Sequence, residues 1–119
     1  PSLINGWEIL DLLPERSLTQ FLTDHGCEVM IIDWGDLRGD EDYKSLTALL
    51  DQKLHRTVTH ILHPDLPNFA LGYCMGGVLL AGYETLHPHH FHGHVYVATP
   101  WDFSQKSTGD LSGILTGWA

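Results

Sequence analysis

The chain has little positive charge. Six lysines and arginines stand against fifteen aspartates and glutamates, a formal net charge of −9. This excludes nucleic acid or an anionic membrane surface as the main partner, because those surfaces are bound by clustered cations. A small anionic substrate stays open, since a local basic group can differ from the mean. No run approaches the roughly 20 apolar residues that cross a bilayer, so no membrane span is expected. The only cysteines are Cys27 and Cys74. Two are too few for a disulfide framework, and a reduced, cytoplasmic setting fits them. No signal peptide is visible. The first residue is Pro1 rather than methionine, which suggests a fragment or a processed product. A length of 119 residues allows one small domain or a piece of a larger one.

What is present alternates helix and strand. Pro14-Glu15-Arg16-Ser17 opens a helix, with proline in the first turn and an acid at the positive end. Leu18, Phe21 and Leu22 form its apolar stripe, and His25-Gly26 ends it. Val29-Met30-Ile31-Ile32 is a continuous apolar run, as in a strand buried on both faces. Cys27, just before it, reads as a small buried structural residue. A polar loop covers Arg38 to Asp42. A second helix runs from about Tyr43 to Leu62, with Leu46, Leu49, Leu50, Leu54, Val58, Ile61 and Leu62 on one face. His63-Pro64-Asp65-Leu66-Pro67 breaks it. Asn68 to Tyr73 is a strand, Met75 to about Leu86 a third helix, and His94 to Ala98 a last strand; residues 105–119 read as irregular. The order predicts an α/β fold: a parallel sheet with crossover helices on both faces. Sites in such sheets lie at the carboxyl ends of the strands, where Asp33, Cys74 and Asp102 all fall.

Gly72-Tyr73-Cys74-Met75-Gly76-Gly77 carries the strongest chemical signal. Set between a strand and a helix, Gly-x-Cys-x-Gly has the pattern of a nucleophile elbow, with sulfur in place of the usual serine oxygen. Glycines on both sides answer to a strained backbone and to close passage of helix over strand. A thiolate there would sit at the positive end of a helix. The bland reading is a small buried cysteine in a glycine-rich turn. Nine histidines suggest metal at first sight, five of them between His87 and His94: His87, His89, His90, His92 and His94. Neighbouring histidines on a loop are more often solvated, so no metal and no cofactor is expected.

These residues resemble a family. Pro1-Ser2-Leu3-Ile4-Asn5, Ile9-Leu10-Asp11-Leu12, Pro14 to Leu18, Ile32-Asp33-Trp34-Gly35, the cysteine box and Ala98-Thr99-Pro100-Trp101-Asp102-Phe103 are similar, in that order, to segments of the polyhydroxyalkanoate (poly-β-hydroxybutyrate) synthases. The resemblance implies a partial α/β-hydrolase fold, with residues 1–119 an internal part of its catalytic domain. It also implies an acyltransferase that polymerises (R)-3-hydroxyacyl-coenzyme A through a thioester on Cys74. The oxyanion donors would be the backbone N–H of Met75 and the loop at Asn5. Gly72, Gly76 and Gly77 would shape the elbow. Trp34, Trp101 and Asp102 are candidates for an acyl pocket, set against plain packing for the two tryptophans and loop capping for the aspartate. The family's aspartate and histidine lie far downstream of the cysteine, beyond a lid. This chain ends 45 residues after Cys74 (119 − 74), so neither they nor the lid are expected in it. The implied partners are the acyl-coenzyme A substrate, the growing polyester, a second copy of the chain and a second synthase subunit. The implied location is the cytoplasm, at the polyester granule surface. An esterase, thioesterase or polyester depolymerase of the same fold is the enzymatic alternative; a non-catalytic remnant or interaction module is the other.

Overall fold

The computed structural model describes residues 1–3, 6–35 and 45–102. Two 3₁₀ turns, Trp7–Leu10 and Pro14–Arg16, open the chain. A short helix follows, α1 (Leu18–Asp24), capped by Ser17, whose hydroxyl accepts from the Gln20 N–H at 2.9 Å. The capping serine, rather than the predicted Pro14, sets the start of the helix, because its side-chain oxygen satisfies an N–H that has no partner within the helix. Gly26 ends the helix with φ +86°, as its position implies. The apolar stripe of this helix takes no part in the buried cluster of the described residues, although Leu22 is half-buried. Leu18 and Phe21 are exposed, and so is Cys27, which corrects its reading as a buried structural residue.

The second predicted helix forms in three joined parts: α2 (Leu46–Ala48), a π-helical stretch (Leu49–Leu54) and α3 (His55–Ile61). Ser45 caps its start, accepting from the Ala48 N–H at 3.1 Å. Its buried residues are Leu49, Leu50, Leu54 and Val58. The last three recur every fourth residue, so they lie one above the other along one side of the helix. Leu46 is exposed; Tyr43 lies outside the described residues.

Strand β1 (Phe69–Tyr73), helix α4 (Met75–Leu86) and strand β2 (Gly93–Val97) form one right-sized crossover unit. The strands pair in parallel, Phe69 opposite Gly93 through Tyr73 opposite Val97. Helix α4 packs on this pair and on the π-helical stretch. Leu79 and fully buried Tyr83 on α4 meet Leu49, Leu50, Leu54 and Val58 in the single buried cluster of the described residues. Alternation along the strands places Phe69, Leu71, Tyr73, Val95 and Val97 on one face. Phe69, Val95 and Val97 on that face are exposed. The described sheet is thus a two-stranded parallel pair, and the expected cover on both faces is not seen among the described residues.

The predicted strand at Val29–Ile32 does not form. The segment has no regular secondary structure and pairs with no strand among the described residues. Met30, Ile32 and Trp34 instead share the lining of an apolar cavity of about 150 Å³ with Phe69, Ala70 and Leu71 of β1. An apolar run of this length reports burial, which this cavity partly supplies, and says nothing of which edge it will bond. Arg38–Asp42 and residues 105–119 lie outside the described residues.

Candidate active site

The turn at Cys74 is where β1 becomes α4. Cys74 has φ 52° and ψ −126°. A non-glycine residue rarely takes positive φ, and such strain persists only where the surroundings enforce it. Here they do. The Cys74 N–H donates to the Val97 carbonyl at 2.8 Å, extending the β1–β2 ladder one residue beyond the strand. The Gly77 N–H donates back to the Cys74 carbonyl at 2.9 Å, closing the first turn of the helix. The thiol is half-buried.

The three glycines are each required by close approach. A Cβ on Gly72 would stand 2.5 Å from Gly77 Cα and 2.9 Å from the Gly76 carbonyl oxygen. Strand and helix backbones touch there, and no side chain fits between them. A Cβ on Gly76 would collide with the Pro1 carbonyl, and one on Gly77 with the Thr99 side chain. The packing of α4 onto β1 depends on these positions being bare.

Met75 is the first residue of α4. Its N–H is one of those that a helix start leaves without an intrahelical acceptor. Asn5, the other expected donor, lies outside the described residues. Trp34 is half-buried; its indole Nε1–H donates to the Pro1 carbonyl at 3.3 Å, the group against which Gly76 packs. Trp34 and Gly76 therefore line the same apolar cavity, together with Leu71, Leu79 and Tyr83. Trp101 and Asp102 follow β2 at the same end of the sheet, but both are exposed and neither lines that cavity. Asp33 holds its own turn, its carboxylate accepting from the Gly35 N–H at 2.9 Å.

One neighbour of the turn gives no signal in the sequence. Ala98, just after β2, has φ 50°, and the bend carries Thr99 under α4 against Gly77. The Thr99 hydroxyl is buried and has no hydrogen-bond partner among the described residues. A second grouping lies at the other end of α4. His55 of α3 stacks on His87 with ring centroids 3.7 Å apart, and His90 meets His55 edge-on at 5.3 Å. His55 Nδ1 pairs with the Tyr83 hydroxyl at 3.0 Å, and His87 Nε2 with Asp51 Oδ1 at 2.7 Å. Burial, then the charges of His87 and His90, hold His55 below the ordinary imidazole pKa, with Asp51 opposing. Burial pushes the Tyr83 phenol up to about 12, with a further contribution from Glu84.

The fold and the turn define a mixed helix–strand protein with a strained cysteine between a parallel strand and a glycine-lined helix. Comparison with known sequences then gives the relationship. The chain is 32% identical over 120 residues to the poly(3-hydroxyalkanoate) polymerase subunit PhaC of Haloferax mediterranei, covering 98% of this chain and 23% of that protein. It is 33% identical over 110 residues to the subunit of the same name from Synechocystis, covering 90% and 29%. With the Haloarcula marismortui subunit it is 34% identical over 89 residues, covering 72% and 18%. The chain is related, as an internal portion, to the poly(3-hydroxyalkanoate) polymerase family, and the family resemblance read from its sequence holds. It spans less than a third of the length of these relatives. No family model matches the chain, and no solved structure matches it. No helix among the described residues is long and apolar enough to cross a membrane.

Proposed function

We propose that this chain is the nucleophile-bearing portion of a polyhydroxyalkanoate polymerase, built on part of an α/β-hydrolase domain. The observation that carries the reading is the strained backbone of Cys74 between Gly72 and the Gly76-Gly77 pair, at the start of α4. Nucleophile elbows have this strand–turn–helix form. The relatives that match the chain over most of its length bear the polymerase name.

In the proposed reaction the Cys74 sulfur, as thiolate, attacks the carbonyl carbon of a (R)-3-hydroxyacyl-coenzyme A. The bond from that carbon to the coenzyme A sulfur breaks. Coenzyme A leaves as a thiolate and takes up the proton that Cys74 gave to a general base. One thioester replaces another at little cost in free energy. The hydroxyl oxygen of a further 3-hydroxyacyl unit then attacks the Cys74 thioester: an ester bond forms, the bond from the acyl carbon to the Cys74 sulfur breaks, and the hydroxyl proton passes through the general base to that sulfur. The Met75 N–H is assigned to the oxyanion of each tetrahedral intermediate, with the Asn5 loop as the second donor. Trp34, Trp101 and Asp102 are assigned to the acyl pocket, Trp34 having the strongest support because it lines the cavity beside Gly76. The exposed face of Phe69, Val95 and Val97 supports association with further chain, either a second copy or a partner subunit. The cytoplasm and the surface of a polyester granule are the proposed location.

The test is coenzyme A release from 3-hydroxybutyryl-coenzyme A, followed chromatographically in a single turnover. The proposal expects up to one equivalent per chain, lost in Cys74→Ala. Equal release by Cys74→Ala would refute the assignment of the nucleophile.

A further inference from the structure

We propose that His55, His87 and His90 form a binding site for one divalent transition-metal ion of the zinc class. One ring nitrogen from each histidine lies within 4.8 Å of the other two. All three are half-buried. They come from two places in the chain, α3 and the turn that follows α4, so the grouping is a product of the packing rather than of a histidine-rich loop. The sequence places His87 and His90 in such a loop; it gives no hint of His55.

Two outer contacts support the assignment. Metal-bound imidazoles characteristically donate their second ring N–H to a carboxylate or another oxygen, which fixes tautomer and ring orientation. Asp51 Oδ1 stands 2.7 Å from His87 Nε2. That bond holds the proton on Nε2 and leaves the Nδ1 lone pair for an ion. The Tyr83 hydroxyl, fully buried on α4, stands 3.0 Å from His55 Nδ1. With Nδ1–H donating to that oxygen, His55 Nε2 is left for the ion. The turn is also built to return His90 to the cluster. Pro88 restricts its backbone, His89 takes φ 72°, and the His89 N–H donates to Glu84 Oε1 at 3.1 Å.

Three neutral imidazoles suit zinc, nickel, cobalt or copper; calcium and magnesium need oxygen cages that this grouping lacks. His55 and His87 lie nearly parallel, at 10°. Parallel rings cannot both aim an in-plane lone pair at one ion, so loading tilts one ring out of the stack. A bound ion would clamp α3 to the end of α4 and to the approach to β2. The site lies on the order of 18 Å from Cys74, the length of the twelve-residue helix between them. Its role is therefore structural, and it is independent of the acyl-transfer reading.

The test uses the whole 119-residue chain, titrated with zinc by calorimetry and with cobalt by visible absorption. The expected result is one ion per chain with a Kd below about 10 μM, a cobalt spectrum of nitrogen and oxygen ligands, and a rise in Tm on zinc addition. His55→Gln and His90→Asn should each weaken binding by about tenfold or more and abolish the Tm rise. His89→Asn, which suits the left-handed backbone, should change it by less than about twofold. His90 makes ring contacts and no hydrogen bond among the described residues, so His90→Asn decides the matter if His55→Gln unfolds the chain. Zinc binding unchanged in folded His90→Asn would overturn the site. So would weaker, multiple binding in the wild type, or a thiolate-to-cobalt band that disappears in Cys27→Ser or Cys74→Ser.

Discussion

Replacing Gly77 with alanine tests the geometry beneath the cysteine turn. The new methyl would overlap the Thr99 hydroxyl and stand 2.7 Å from Thr99 Cγ2 and 2.8 Å from Thr99 Cβ. Contacts below about 3 Å do not persist between carbon atoms, so Thr99 or α4 must move. Overpacking of this kind costs about 1–3 kcal/mol. Thr99→Ala removes the hydroxyl and Cγ2 but keeps Cβ. On its own it should cost little, because the loss of the Cγ2 methyl is offset by deleting a buried hydroxyl that has no partner among the described residues. In the double variant Gly77→Ala/Thr99→Ala the two costs should not add, with a favourable coupling of about 1 kcal/mol. Gly72→Ala behaves differently. Its methyl would meet Gly77 Cα at 2.5 Å and Gly77 N at 2.8 Å, which are backbone atoms and cannot rotate away. Thr99→Ala should therefore recover nothing from Gly72→Ala. Urea unfolding followed by circular dichroism measures the wild type, the three single variants and the two double variants. Additive costs for Gly77→Ala and Thr99→Ala, or a Gly77→Ala cost below about 0.5 kcal/mol, would refute the close approach of Thr99 to α4.

Cys74→Gly should abolish acylation yet raise unfolding stability by about 1 kcal/mol, because glycine relieves the strain at φ 52°; a loss of stability in denaturant would contradict that strain. Ser17→Ala should cost about 1 kcal/mol by removing the cap of α1, whereas Ser17→Thr, which keeps both the cap and the hydroxyl donated to Asp11, should retain most of it; equal losses in both would show that the cap contributes nothing. Stability should also fall as pH rises from about 10 to about 12. The Tyr83 phenol is raised from 10 to about 12 in the folded chain, so over that window the unfolded chain gives up its proton first and unfolding is favoured. Tyr83→Phe should flatten the alkaline slope; an unchanged slope would assign it to other groups.

The part of the fold around α4 was legible because its signals are local. The glycines around Cys74, the strand–turn–helix pattern they punctuate and a helix ending near Leu86 place β1, α4 and β2 within a residue or two of their observed limits. Gly72, Gly76 and Gly77 could be singled out for the same reason, since close approach leaves a mark in the sequence. The failures come from partners that sequence does not specify. Val29–Ile32 is apolar enough for a strand, but pairing needs a bonded edge, and the segment instead lines a cavity beside β1. Leu18 and Phe21 have helical spacing but no described surface to cover them. His55 lies 32 positions before His87 (87 − 55), and only the packing of α3 on α4 joins them. Thr99 gave no signal because its role depends on the positive φ of Ala98.

The central claim is that Cys74 carries the acyl group, and tandem mass spectrometry of the digested chain after exposure to 3-hydroxybutyryl-coenzyme A tests it most directly. The account predicts one 3-hydroxybutyryl thioester on the peptide containing Gly72 to Gly77, absent in Cys74→Ala and unaffected in Cys27→Ser. An acyl group found on exposed Cys27 instead, or on neither cysteine of the folded chain, would contradict it.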